Sequence, residues 1–76
     1  MENLIAELIT QVFLANSRKK HTIFFDFSGH VNTISVSALK GKWKPKAKSV
    51  FESNVRLNVP GAKEQLSLLI EYIKSL

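Results

Sequence analysis

At Thr22 the hydrophobic period of this chain changes from the helical repeat to a repeat of two, and at Pro60 it changes back. Those two switches admit one order of elements: a helix, a block of strands, and a second helix. Over residues 2 to about 17, Leu4, Ile5, Leu8, Ile9, Val12 and Phe13 recur at helical spacing as one broad stripe. Ala15 lies beside that stripe and Leu14 falls well outside it. The segment Asn16-Ser17-Arg18-Lys19-Lys20 then closes the helix. Asparagine accepts a left-handed cap, and cations suit the negative end of the helix dipole.

From Thr22, Ile23, Phe25 and Phe27 alternate with Thr22, Phe24, Asp26 and Ser28, as in a half-buried strand. After Gly29 the alternation resumes, with Ile34, Val36 and Ala38 on one side and Thr33, Ser35 and Ser37 on the other. A two-residue turn with Gly29 first pairs Ser28 with Val31, Phe25 with Ile34 and Ile23 with Val36. Only a loop of even length brings the two apolar sets to one face. From Lys40 to Val59 the apolar residues hold odd positions, among them Trp43, Phe51, Val55 and Leu57. The preceding strand buries its even positions, so a bulge or break is needed near Leu39-Lys40-Gly41, and Gly41 permits it. Pro45 is unsuited to a central strand, which places a loop at 41–48 and a third strand at about 50–58. Pro60 suits the first turn of a closing helix, where Ala62, Leu66, Leu69, Ile70, Ile73 and Leu76 form a narrow stripe. Leu68 and Tyr72 make a second patch on another side of it.

The expected fold is α+β, a single domain over residues 1–76. It has two layers, a three-stranded antiparallel sheet with both helices on one face. Cores of this size typically supply only ~3–5 kcal/mol without a disulfide, a metal or a partner. The chain has no cysteine, so disulfides and thiolate metal sites are excluded. Glu2 stands where a secretory signal carries positive charge, and no apolar run approaches the ~20 residues of a membrane span. A cytoplasmic protein without a membrane partner is the expectation.

Three features bear on function. Lys40, Lys42, Lys44, Lys46 and Lys48 alternate strictly and concentrate most of the chain's net charge of +5 within nine residues. Such a run attracts phosphates by counterion release, and Trp43 within it either stacks on a base or covers the core. Its odd position, shared with the core-facing residues downstream, favours packing. Alternating lysines also protect a strand edge from pairing with another chain. The second feature is the open sheet face, where Phe24 is an aromatic among polar residues that include Asp26 and Arg56. With Leu14, Leu68 and Tyr72 it leaves more apolar surface than one small core consumes, which points to a homodimer or a protein partner. The third is Ser28-Gly29-His30 at the hairpin tip. His30 lacks a nucleophile or second carboxylate to work with, and His21 lies at the far end of the strand, so neither a catalytic nor a metal site is expected. No cofactor motif occurs.

The element order resembles the double-stranded RNA-binding domain over nearly the whole chain. The resemblance implies a histidine-bearing loop between the first two strands, here Ser28-Gly29-His30, and lysines at the start of the second helix. Here that start reads Pro60-Gly61-Ala62-Lys63-Glu64, with Lys63 alone. The FFDFSGHVN hairpin followed by Gly41-Lys42-Trp43 is similar to small phage and prophage proteins, a likeness that implies no particular activity. Two readings follow: a non-catalytic module that binds a polyanion such as nucleic acid through residues 40–48, and a protein-interaction or self-association module.

Overall fold

A computed structural model describes residues 2–76. Helix α1 spans Glu2–Ser17, strand β1 His21–Ser28, strand β2 Thr33–Lys40, strand β3 Phe51–Arg56 and helix α2 Ala62–Lys74. The strands form one antiparallel sheet in the order β1-β2-β3. Leu8, Val12 and Ala15 of α1 share one buried cluster with Ile23, Ile34, Val36, Ala38 and Val55 of the sheet and Leu66, Leu69, Ile70 and Ile73 of α2. Both helices therefore cover the same face. The parity rule explains why: β1 and β3 send odd positions to this layer and β2 sends even ones.

The hairpin keeps the expected face but not the expected register. Ser28 pairs with Thr33, Phe27 with Ile34, Phe25 with Val36 and Ile23 with Ala38, two residues beyond the pairing that a two-residue turn dictates. A four-residue connection makes the difference. Residues Gly29–Val31 form a 3₁₀ turn closed by Asn32 in the left-handed region at φ 49°, a conformation asparagine tolerates. An even loop length preserves the face, so the core is unaffected.

The break after β2 occurs where glycine allows it. Gly41 adopts φ 75° and its N–H donates to the carbonyl of Lys20 at 2.8 Å, which extends the β1–β2 ladder by one rung. At the other end of the chain, Pro60 lies in the turn before α2 rather than in its first helical turn. Gly61 occupies the cap position at φ 87°.

Asn16 does not cap α1. It remains helical, and Lys19 takes the left-handed position at φ 62°. The freed Asn16 amide clamps the edge of the sheet: its Nδ2 donates to the Ile23 carbonyl at 3.1 Å and its Oδ1 accepts from the Ile23 N–H at 2.8 Å. The same Nδ2 reaches the Val12 carbonyl. Since Lys20 bonds toward β2, the odd residues of β1 turn their peptide groups outward, and Ile23 is the one that Asn16 satisfies.

The stripe on α1 is wider than the core can hold. Ile9 is 49% exposed and Phe13 70%, and Phe27 at the end of β1 is 51% exposed, although all three positions were expected to be buried. The helix rides close to the β1 side of the sheet, so its outer flank passes beyond the layer it covers.

Candidate functional site

Residues 41–50 contain no strand, so alternation does not sort their side chains into two faces. Every residue from Lys42 to Val50 is exposed. A turn over Lys44–Ala47, closed by Ala47 N–H to Lys44 O at 3.1 Å, places Pro45 second and Lys46 third at φ 70°. Proline at the second position and positive φ at the third are the marks of a type II turn. It carries Lys46 at the tip of a projecting arm. Trp43, expected to pack, is instead 61% exposed, because the parity that would have buried it applies only within a strand.

The arm is joined at its root by further cations. The Gly41–Lys20 hydrogen bond brings the turn between α1 and β1 alongside it, adding Lys19 and Lys20 to Lys40, Lys42, Lys44, Lys46 and Lys48. Among the described residues, the ion pairs are those of Lys74 with Glu7 and Glu71, so none of these seven lysines is neutralised by a carboxylate. Arg18, in the same turn, donates instead to the Ile73 carbonyl at the end of α2. A notch of about 290 Å³ opens at the root, lined by Asn16, Lys19, His21, Thr22, Gly41 and Lys42. No acidic side chain lines it. The Nδ1 of His21 is buried there without a hydrogen-bond partner, a feature that the sequence pattern did not single out.

The interaction residues suggested by the sequence separate into two places. Phe24 and Asp26 line a shallow polar depression on the open face with Ser35, Ser37, Glu52 and Asn54, and Arg56 is exposed on the same side of β3. Ser35 donates to Asn54 at 2.7 Å across that face. Leu68 and Tyr72 lie on α2, in the opposite layer. Tyr72 is stacked on Phe51 with ring centroids 4.1 Å apart, which leaves Leu68 as the free part of that patch, 72% exposed. These five residues do not form one surface.

At the hairpin tip the Ser28 hydroxyl lies 3.5 Å from Asp26, and His30 is exposed. Among the described residues no group of three histidine, cysteine or acidic side chains is gathered closely enough to hold a metal. No described helix is long and apolar enough to cross a membrane. His30 and Lys63, the positions implied by the likeness to the double-stranded RNA-binding domain, lie toward the end of the sheet away from the arm. No known family, curated protein or solved structure matches this chain.

Proposed function

We propose that this domain is a non-catalytic polyanion-binding module that takes single-stranded nucleic acid on the arm of residues 40–48. The observation that carries this reading is an exposed indole flanked by unpaired, exposed lysines on a projecting turn. Lysines along such a segment follow a phosphate backbone, and an exposed aromatic ring offers a stacking surface to any base. Lys19 and Lys20 extend the positive surface to the arm's root, where the notch admits a phosphate beside Lys19 and Lys42.

Trp43 is the sole tryptophan, so its fluorescence reports binding directly. Titration with an oligonucleotide should quench it. If the five arm lysines each engage a phosphate of a single strand, log affinity should fall with log salt at a slope near −3.5, at about 0.7 per contact. Replacing all five lysines with glutamine should flatten that slope. Trp43→Ala should weaken binding by about 1–3 kcal/mol while leaving the slope unchanged, with tyrosine fluorescence or anisotropy as the readout. A salt-independent affinity, or lysine variants that bind as well as the parent, defeats the reading.

A further inference from the structure

The flank of α1 that overhangs β1 leaves two large apolar side chains in the open, Ile9 and Phe13. Ile5, Ile9 and Phe13 follow one another at four-residue spacing, and Glu2 lies on the same side, seven residues before Ile9. Beneath them an apolar groove of about 230 Å³ is walled by Ile5, Ile9, Phe25, Phe27, Ile34 and Leu57. No polar side chain lines it. A dry cavity of about 150 Å³ holds benzene, so this groove has room for a phenyl ring. Phe13, a phenyl ring without cover, stands on the same flank.

We propose that a second copy of this chain covers this flank, with the two α1 helices antiparallel about a two-fold axis at Ile9. Phe13 of each copy then enters the groove of the other. In that arrangement Ile9 meets Ile9 and Phe13 meets Ile5, so one surface serves both sides, as a two-fold interface requires. Charge favours a second copy over a foreign partner. Antiparallel packing sets Glu2 at the start of one helix beside Arg18-Lys19-Lys20 at the end of the other, and opposes the helix dipoles head to tail. It also carries the two lysine arms to opposite ends of the pair, which keeps two chains of charge +5 from repelling at close range. Ala6, exposed on the same side, lets the helix backbones approach. Ile9, Phe13 and Phe27 alone leave roughly 300 Å² of apolar side chain per copy. With the groove walls and intervening backbone, a pair buries on the order of 1,000 Å², about the least that a specific interface needs. The apolar contact surface shares no residue with the arm; Lys19 and Lys20 are common to the charge pairing of the dimer and to the positive surface at the arm's root.

Sedimentation across a concentration series should show a species of twice the 8.6 kDa chain mass. Phe13→Glu should raise the dissociation constant roughly 100-fold with an unchanged far-ultraviolet spectrum, whereas Leu68→Glu, at a side chain equally exposed, should not. The absence of cysteine gives a second measurement that does not depend on a disruptive variant. Mild oxidation of Ile9→Cys should link two chains, and Leu68→Cys should remain unlinked. A monomer at every concentration up to about 500 µM, well above the micromolar range of a weak dimer, overturns the proposal. So does a dimer that survives Phe13→Glu, or one that links through residue 68 and not residue 9.

Discussion

The two helices cover the same sheet with unequal economy. Helix α2, thirteen residues long, buries Ala62, Leu66, Leu69, Ile70 and Ile73, nearly its whole apolar stripe. Helix α1, sixteen residues long and richer in apolar side chains, buries only Leu8, Val12 and Ala15. A narrow stripe matches what a three-stranded sheet can cover. A broad one exceeds it, and the surplus stays on the outer flank. In a chain this small, apolar surface beyond the needs of the core is surface available for association.

Substitutions can break that comparison. The largest losses should come from Leu66→Ala in α2 and Leu8→Ala in α1, both fully buried. Each should cost about 3 kcal/mol in urea unfolding, most of what such a domain holds. A much smaller loss at Leu8 would show that α1 is anchored only at its end. Next comes Asn16→Ala, which removes both bonds to the Ile23 peptide group and should cost about 1–2 kcal/mol, with faster hydrogen exchange at the Ile23 amide. Phe13→Ala should change the stability of the dilute monomer by no more than about 0.5 kcal/mol, since its ring has no core to leave. Smallest of all, Lys74→Ala breaks partly exposed contacts to Glu7 and Glu71 and should fall below about 0.5 kcal/mol.

Element order, the shared face of both helices and the break at Gly41 were legible in the sequence because each rests on periodicity or on one residue's backbone freedom. The hairpin face was legible and its register was not: parity constrains the loop to an even length, but only Asn32 in its left-handed conformation selects four residues over two. The same distinction governs Trp43. Its parity had meaning only in a strand, and the Pro45-Lys46 turn removes the strand. The exposure of Ile9 and Phe13 depends on where α1 sits across the sheet, a long-range quantity that no local pattern encodes. Lys19 and Lys20 join the arm for a similar reason, through a hydrogen bond between residues twenty-one positions apart.

The Asn16 amide also makes this domain sensitive to a single chemical lesion. Hydrolysis of that side chain to a carboxylate retains an oxygen for the Ile23 N–H but abolishes the donor to the Ile23 and Val12 carbonyls, leaving like partial charges face to face. One ageing event at position 16 would loosen the end of α1 and leave the Ile23 carbonyl without its donor, lengthening the open border of β1 on which another chain can pair.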